Sequence, residues 1–323
     1  MEFPRRRFLR LAAGATVAPA LPSIAAAQAY PSRPVRMIVG FPAGNAPDII
    51  ARVVGQWLSD RLGQQFIIDN RPGAASNIAT EVALSAPADG YTVQMIVLTN
   101  IMNAALYSNL KFNFIRDIAP IAGIADAPYV ILVNPSVPAK TMPEFIAHAK
   151  ANPGKINYAS GGNGSTSHIF TELLKKMAGI DLVHVPYRSS FMPDLLSGQV
   201  HMTINPAPQA MEYVRTGQLR GLAVTTAKRM DQLPDTATVR ETGPDYVATG
   251  WYGLSAPRNT PAEIVSKINE GMNSALADPA VKARLANLGV QPMAMTPAEF
   301  GKFINDESDK WTPVIKSAGI KAE

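Results

Sequence analysis

The chain has 323 residues, of which 47% are hydrophobic and 17% charged, and its mean hydropathy is +0.03. This length and composition allow a large buried core and favour two domains, and they exclude a multi-span membrane protein and a largely disordered chain. The sequence contains no cysteine, which excludes disulfides, zinc–thiolate sites, iron–sulfur clusters, cysteine nucleophiles and lipid-modified cysteine anchors.

Residues 1–29 are predicted to be an export signal. Four arginines precede a short apolar stretch at 11–20, which is too short to span a bilayer. The sequence Ala27-Gln28-Ala29 offers a small-x-small cleavage site, so we expect cleavage near Ala29 and a periplasmic location for the mature protein. The arginine-rich run at 5–10 resembles a twin-arginine signal, and an ordinary secretory signal rich in arginine is the alternative.

The net charge argues against nucleic acid as a partner. The whole chain carries a formal +5, but residues 1–29 contain four Arg and one Glu and therefore account for +3 of it. The mature chain is left near +2 and has no basic stripe interleaved with aromatic residues. Binding to DNA or RNA is therefore not expected.

Hydrophobic periodicity alternates between strands and helices from residue 34 onward. The first part predicts a strand at 34–41, a helix at 47–62, a strand at 65–69, a helix at 76–84 and strands at 91–98 and 129–133. The next part predicts helices at 141–151, 168–177, 189–196 and 209–216 alternating with strands at 155–159, 182–185, 200–204 and 219–225. After a Pro/Gly-rich stretch at 233–250 come a strand at 251–255 and helices at 261–276, 279–288 and 297–317. This alternation is typical of α/β proteins with parallel sheets covered by helices.

Two glycine-containing loops follow strands and precede helices, where ligands of open α/β sheets bind. We name residues 42–48 (PAGNAPD) the first loop and residues 160–166 (SGGNGST) the second loop. Glycines let backbone amides approach an anion, and the helix dipole behind them adds positive charge. Ser165 and Thr166 can cap the helix or donate hydroxyl hydrogens. The pair predicts an anion cradle, and two flexible turns that cap helices are the alternative.

Asp48 at the end of the first loop has two interpretations that the sequence leaves open. In the first turn of a helix, a carboxylate favours the dipole and can cap the helix. It can equally face a cleft, where it would pair with a ligand amine or orient a bridging water.

Enzymatic motifs are mostly absent. The glycine loops lack the GK[ST] ending of a P-loop and the dinucleotide fingerprint, and no G-x-S-x-G elbow occurs. The four histidines lie on different elements without metal-ligand spacing. Ser165 and His168 could form a nucleophile–base pair, but this spacing at a helix start is more typical of capping. We therefore expect no catalysis, cofactor or metal.

The sequence resembles a known family over essentially the whole mature chain. The segments that carry the resemblance include YPSRPVRMIVGFPAGNAPDIIAR (30–52), NRPGAASNIATEVALSAPADGYT (70–92), VNPSVPAKTMPEFIAHAKANPGKINYASGGNGSTSH (133–168), HVPYRSS (184–190), LAVTTAKRMDQLPDTATVRETG (222–243), WYGLSAPRNTPAEIV (251–265) and LANLGVQPMAMTPAEF (285–300). This combination resembles the extracytoplasmic solute receptors of tripartite tricarboxylate transporters, also called the Bordetella uptake gene (Bug) family.

The resemblance implies a type II periplasmic-binding-protein fold with two α/β lobes, a central cleft and two hinge crossings. It implies lobe boundaries at 30–130 plus 251–323 for a discontinuous first lobe, and at 131–250 for the second. In the family, backbone groups and ordered waters from one loop of each lobe hold a ligand carboxylate. Carried onto this sequence, those loops are 41–48 and 160–166. The candidate ligand-binding residues are Phe41, Ala43, Gly44, Asn45, Asp48, Asn100, Ser160, Gly161, Asn163, Gly164, Ser165, Thr166, His168, Tyr187 and Asn205.

Departures from the family pattern bear on the ligand. The usual Gly-Gly of the first loop is Gly44-Asn45, and Ser189 replaces the usual Gly after VPYR. A pattern resembling V-D-x-x-F-D reads VHMTIN at 200–205 and so loses two acids. His168 and Tyr187 stand at motif positions, where they could serve packing alone. Fewer acids near the cleft favour an organic acid over an amino acid.

The sequence therefore predicts a periplasmic receptor for a small carboxylate, such as a di- or tricarboxylate or an aromatic acid. Its expected partners are that ligand and the membrane subunits of a tripartite transporter, and a monomer is the default state. A receptor that presents its ligand to a sensor kinase would use the same fold, and a hydrolase based on Ser165 and His168 is the enzymatic alternative.

Overall fold

The computed structural model describes residues 30–107 and 109–318, and the export signal predicted at 1–29 lies outside them. The strands are β1 (Val35–Val39), β2 (Phe66–Asn70), β3 (Thr92–Val97), β4 (Ile118–Ala127), β5 (Tyr129–Val133), β6 (Asn157–Ser160), β7 (Val183–Pro186), β8 (Met202–Pro206), β9 (Arg220–Val224) and β10 (Gly250–Pro257). The helices are α1 (Ala46–Leu62), α2 (Asn77–Leu84), α3 (Leu98–Leu106), α4 (Phe114–Asp117), α5 (Met142–Ala151), α6 (Thr166–Ala178), α7 (Met192–Ser197), α8 (Ala207–Arg215), α9 (Val239–Thr242), α10 (Ala262–Ala277), α11 (Pro279–Asn287) and α12 (Pro297–Ala318).

The strands form two five-stranded sheets, each flanked by helices. The first sheet has the order β2-β1-β3-β10-β4, and the second has the order β7-β6-β8-β5-β9. In the first sheet β1 pairs in parallel with β2 and β3, and in the second β6 pairs in parallel with β7 and β8. The predicted α/β fold with two lobes is thereby confirmed, and each sheet is the centre of one lobe.

Each sheet contains one antiparallel strand. Parallel sheets were predicted from the sequence, and the direction of these two strands was not foreseen. In the first sheet β10 runs antiparallel to β3 and β4, and in the second β5 runs antiparallel to β8 and β9. These are the strands by which the chain enters each sheet from the other one. Only Pro128 separates β4 in the first sheet from β5 in the second.

The local sequence explains which face of helix α1 is buried and where the helix ends. Ile50, Val54 and Leu58 recur at helical spacing and are fully buried, so this face of the helix packs against the first sheet. Gly63 ends the helix in the left-handed conformation (φ 72°), and its N–H donates to the Ser59 carbonyl at 3.1 Å. A residue with a Cβ would be strained at this position.

An aromatic stack joins the two lobes on the side of α12. Trp311 on α12 stacks on Phe170 of α6, with ring centroids 5.1 Å apart, and Phe170 in turn meets Tyr129 of β5 edge to face at 4.9 Å. All three side chains belong to the main buried apolar cluster, which contains residues of both sheets. Although α12 is 22 residues long, no helix in the described part of the chain is long and apolar enough to cross a membrane.

Candidate ligand-binding cleft

The first loop is held by a buried carboxylate. Asp48 is only 2% exposed and accepts hydrogen bonds from the Gly44 N–H (2.9 Å), Arg52 Nε (2.9 Å) and Asn70 Nδ2 (3.0 Å). Burial alone would raise the pKa of Asp48, but the hydrogen bonds from Arg52, Gly44 and Asn70 outweigh burial, and its pKa lies below the ordinary value. Asn70 also donates to the Phe41 carbonyl at 3.0 Å. These bonds fix the turn in which Gly44 has a positive φ of 81°.

The second loop is held by neutral groups. The Ser160 hydroxyl bonds His184 Nε2 at 2.6 Å and the Gly162 carbonyl at 3.1 Å. The Gly164 N–H donates to His168 Nδ1 at 3.0 Å, and the His168 N–H donates to Ser165 Oγ at 3.4 Å. Because Nδ1 accepts a hydrogen bond, the His168 ring carries no proton there and is neutral.

Two stacked histidines, which both bond to residues of the second loop, support it. The rings of His168 and His184 lie 3.9 Å apart with an interplanar angle of 12°, and Tyr158 stacks on His184 at 4.8 Å. Burial lowers the pKa of His168, and burial together with the nearby His168 lowers the pKa of His184 to about 4. At neutral pH the cluster therefore supports the loop without charge on either imidazole.

A cavity lies between the lobes, with a volume of about 710 Å³ including the space open to solvent at its mouth. The described residues that line the cavity include none that carries a charge. Its floor contains Tyr129 of β5 and the beginning of β10, where the Tyr129 ring lies against Gly250. An ionic ligand would therefore meet dipoles and neutral hydrogen-bonding groups there, not fixed charges.

The N-termini of four helices of nine residues or more meet at this cavity, and so does that of the six-residue α7, whose N-cap is Phe191. The lining includes the N-cap residues Asn45 of α1, Val97 of α3, Ser165 of α6 and Pro206 of α8. Each helix N-terminus presents unpaired backbone N–H groups and about half a positive charge. Helices α1 and α3 pack on the first sheet, whereas α6 and α8 pack on the second, so both lobes contribute positive potential. The arrangement favours an anion between the lobes.

Two hydrogen bonds cross the cleft directly. Gln209 Nε2 on α8 donates to Asn45 Oδ1 at 2.9 Å, although the two residues are 164 positions apart in sequence. The hydroxyls of Thr99 and Thr166 lie 2.7 Å apart. Asn45 is an N-cap residue whose side chain makes no capping hydrogen bond, so its amide is free to reach the other lobe. The structure therefore has the lobes in contact across the cavity.

Comparison with known proteins identifies the family. The sequence model of the tripartite tricarboxylate transporter family receptors (TctC) matches residues 50–320. The chain belongs to this family. It is 34% identical over 300 residues to Protein BugT of Bordetella pertussis, covering 91% of this chain and 92% of that protein. The family predicted from the sequence segments is thereby confirmed.

Two solved structures of similar proteins contain carboxylates. The R. palustris protein Rpa4515 with adipate superimposes with a TM-score of 0.88 at 34% identity, covering 91% of this TctC-family chain and all of that one. MatC from Rhodopseudomonas palustris with bound malate superimposes with a TM-score of 0.83 at 28% identity, covering 88% of this chain and all of that one. Both relatives share the fold described above.

The residues predicted from the sequence fall into two groups. Those that line the cavity are Phe41, Asn45, Gly161, Ser165, Thr166 and Asn205. Those that lie outside its lining are Ala43, Gly44, Asp48, Asn100, Ser160, Asn163, Gly164, His168 and Tyr187. Asp48 lies outside the lining and accepts from the Gly44 N–H of its own loop, and His168 accepts from the Gly164 N–H of the second loop. A role in ligand binding for these fifteen residues stays a prediction.

Asn100 and Tyr187 illustrate the second group. Asn100 Oδ1 accepts from the Val97 N–H at 2.8 Å, and its Nδ2 donates to Ser76 Oγ and Thr80 Oγ1. It therefore caps α3 and positions the start of this helix at the cavity. The Tyr187 hydroxyl donates to Asp194 Oδ2 at 2.6 Å, which fixes the segment leading into α7.

Sequence reasoning missed several lining residues. Thr99, Tyr129, Gln209 and Tyr252 all line the cavity but stand outside the two glycine loops. Thr99 lies two residues after the end of β3, so the strand-end rule used for the two loops could have found it. Gln209 and Tyr252 carry no local signal, because only the packing of one lobe on the other brings them to the cavity.

Proposed function

We propose that this chain is an exported solute receptor that captures a small organic anion between its lobes and delivers it to the membrane subunits of a tripartite tricarboxylate transporter. The observation that carries the proposal is the convergence of helix N-termini from both lobes on a cavity whose described lining residues carry no charge. Such a site stabilises negative charge by dipoles and neutral donors. The adipate and malate in the two related structures are ligands of this kind.

The same lining disfavours an amino acid as ligand. The ammonium group of an amino acid needs a carboxylate or several other acceptors. Asp48, the acidic residue of the first loop, is already bonded to Gly44, Arg52 and Asn70. Hydrogen bonds to a charged group contribute about 1.5–3 kcal/mol each. A handful of them can therefore support micromolar affinity, which corresponds to about 8 kcal/mol.

Binding without chemistry is part of the proposal. The pair Ser165 and His168 lacks the geometry of a nucleophile and its base, because His168 Nδ1 is occupied by the Gly164 N–H. The bond between Ser165 and His168 involves the backbone N–H of His168 and not its imidazole. Ser165 acts as the N-cap of α6.

Closure of two lobes would trap the anion. We place the first lobe at 30–128 plus 250–318 and the second at 129–249, because β5 begins at Tyr129 in the second sheet and β10 begins at Gly250 in the first. The boundaries predicted near 130 and 250 shift by at most two residues. The bonds Gln209–Asn45 and Thr99–Thr166 would hold the closed state. The closed form would present the surface that the membrane subunits recognise.

A charge-only substitution tests the proposal. Asn45→Asp keeps the size of the side chain and an oxygen acceptor for Gln209 but adds a negative charge at the cavity. In calorimetric titration of the mature chain (30–323) with di- and monocarboxylates, we expect Asn45→Asp to weaken binding at least thirtyfold through charge repulsion. The matched control is Asn113→Asp at the N-cap of α4, outside the cavity, which should leave the affinity unchanged.

Thermal-shift measurements on a wider panel complete the test. A micromolar ligand at millimolar concentration should stabilise the wild-type protein by about 4 kcal/mol. Stabilisation by amino acids alone would contradict the proposal, as would carboxylate binding that Asn45→Asp leaves unchanged.

A further inference from the structure

Another cavity, which we name the histidine cavity, lies in the second lobe away from the cleft. It has a volume of about 490 Å³ including the space open to solvent. His148, Lys155 and His201 line it together with Ser136 and Asn152, and no described residue of the lining is acidic. A cavity lined by basic and neutral polar groups is suited to an anion.

The histidine cavity lies at the edge of the second sheet opposite the cleft. Lys155 precedes β6 by two residues, and His201 directly precedes β8. These two strands run in parallel toward the cleft, whose lining contains Gly161 after β6 and Asn205 on β8. The length of both strands therefore separates the two cavities, so each can be occupied without the other.

His201 is held in one orientation by its neighbours. Its backbone N–H donates to the Asn157 carbonyl at 2.9 Å, and its carbonyl accepts from the Asn134 N–H at 2.9 Å. Its Nδ1 accepts from the Asn157 N–H at 2.8 Å. Because Nδ1 accepts, the neutral ring carries its proton on Nε2, which is bonded to no described residue. The ring therefore has an N–H group left for a ligand in the cavity.

His148 is prepared in the same way by Asn152. The Asn152 Nδ2 donates to the His148 carbonyl at 2.9 Å and lies 3.3 Å from His148 Nδ1. Since Nδ2 has only hydrogens to offer, Nδ1 is the acceptor and the neutral ring carries its proton on Nε2. His148 also lies in the last turn of α5, where the helix dipole favours positive charge on the ring.

Lys155 adds a fixed positive charge to the two histidines. Its side chain is exposed and forms no ion pair with a described residue. Asp181 lies beside Gly154, the preceding residue, but does not line the cavity. The ammonium group of Lys155 is therefore available to an anion.

The orientation of the rings disfavours a metal ion. A metal binds an imidazole nitrogen that carries no proton, and here each Nδ1 is already an acceptor while each Nε2 carries the proton. The described residues also contain no group of three or more His, Asp or Glu side chains that could hold a metal ion. The histidine cavity therefore offers donors and not ligands for a cation.

The number of separate donors favours phosphate over a carboxylate. The donors come from α5, from the segment before β6 and from the residue before β8, and the Ser136 hydroxyl adds a group that can donate or accept. A carboxylate has two oxygens in one plane, whereas a phosphate group presents oxygens in several directions. Lysine is a common phosphate ligand in proteins.

We propose that the histidine cavity is a phosphate-binding site, independent of the cleft, in which His148, Lys155 and His201 donate to the phosphate oxygens. The phosphate can be a free ion or the phosphate of a lipid headgroup, since the donors would bind either in the same way. This inference does not depend on the ligand of the cleft.

Histidine signals in NMR spectra test the site directly. The mature chain (30–323), labelled at histidine and kept in a phosphate-free buffer, would be titrated with inorganic phosphate. We expect saturable shifts of the ring signals of His148 and His201 and unchanged signals of His168 and His184. Saturable shifts confined to His168 and His184 would place phosphate in the cleft and refute the inference.

Charge reversal at an exposed lysine supplies the variant and its control. Lys155→Glu should weaken phosphate binding at least about tenfold, and the exposed side chain of Lys155 has no bond whose loss could unfold the protein. Lys282→Glu makes the same change at an exposed position on α11 in the first lobe and should leave the affinity within about twofold. Equal losses for the two variants would show attraction by net charge alone and refute the site.

Vesicles distinguish the two sources of phosphate. Sedimentation with phosphatidylcholine vesicles, with and without phosphatidylglycerol, would be compared for the wild-type protein, Lys155→Glu and Lys282→Glu. Binding that only Lys155→Glu abolishes identifies a lipid headgroup, whereas binding of inorganic phosphate without vesicle binding identifies the free ion. If neither probe binds, the inference is refuted, while the proposed function is tested separately by carboxylates in the cleft.

Discussion

The two glycine-containing loops both contribute residues to the cavity lining, but they are supported by different chemistry. The first loop depends on Asp48, a buried carboxylate bonded to a guanidinium, an amide side chain and a backbone N–H. The second loop depends on hydroxyls and two neutral histidine rings, His168 and His184. Two loops at the same cavity can therefore be held by a buried charge or by neutral rings.

The difference predicts distinct responses to pH. The pKa of Asp48 is lowered, so its stabilising contribution is present above the ordinary pKa of an aspartate and is lost only in strong acid. The pKa values of both histidines are lowered, so their neutral forms stabilise the fold above about pH 6.5. This contribution is lost as the pH falls from about 6.5 toward the folded-state value of His184, about 4.

The largest expected effect comes from removing the buried carboxylate. Asp48→Ala leaves the Gly44 N–H, Arg52 and Asn70 without their shared acceptor. We expect a loss of about 2–4 kcal/mol in the free energy of unfolding, measured by chemical denaturation, together with weaker carboxylate binding.

An exposed ion pair provides the control for Asp48. Asp89 pairs with Arg33 at 3.0 Å, and their side chains are 42% and 61% exposed, against 3% for Asp48. Asp89→Ala should cost less than about 1 kcal/mol. Equal losses for the two variants would show that the first loop does not depend on its buried charge.

The second prediction concerns the histidine pair. Between pH 6.5 and pH 4 the wild-type protein should lose about 1–2 kcal/mol of stability that His184→Gln does not lose, an amount discounted because the half-buried ring is partly screened by solvent. Glu172 and Lys175 also face the cluster, and their opposite charges act on both rings in opposite directions. Denaturation curves measured at several pH values give the difference between the two proteins.

The control for this prediction is a histidine away from the loops. His148 on α5 bonds its neighbour Asn152 and touches neither loop. His148→Gln should keep the wild-type pH profile. If the stability of the wild-type protein does not change with pH, the prediction is wrong. It is also wrong if His148→Gln and His184→Gln change the pH dependence equally.

The smallest expected effect concerns the hydrogen bond between Gln209 and Asn45, which joins the two lobes. Gln209→Ala and Asn45→Gly each remove the 2.9 Å contact across the cleft, and Gly at an N-cap costs only a few tenths of a kcal/mol. Each variant should raise the Kd for the preferred carboxylate about fivefold, which corresponds to about 1 kcal/mol. In a double-mutant cycle the combined variant should be no weaker than either single one, whereas additive losses would mean that the two side chains act independently.

Most elements were predictable because their apolar residues follow the period of a helix or a strand. Helix α3 and strand β4 were not predicted. The sequence of α3 (LTNIMNAAL) continues the apolar run of β3 and is buried on almost every side, so periodicity gives no boundary between them. Strand β4 (IAPIAGIADA) has isoleucine at every third position and alanine, glycine or proline at most others, so it lacks the two-residue period that indicates a strand. A side chain at Gly123 would meet the Met293 carbonyl at 2.6 Å.

The sequence by itself determined the family, the alternation of strands and helices and the two loops, because glycines after a strand and hydroxyls before a helix are local requirements of the backbone. Tertiary structure alone decided which polar side chains line the cavity. Asp48 and His168 turn away to support the loops, whereas Gln209 and Tyr252 reach the cavity from distant segments. Whether a side chain has a partner depends on the packing of one lobe against the other, and no local pattern records that packing.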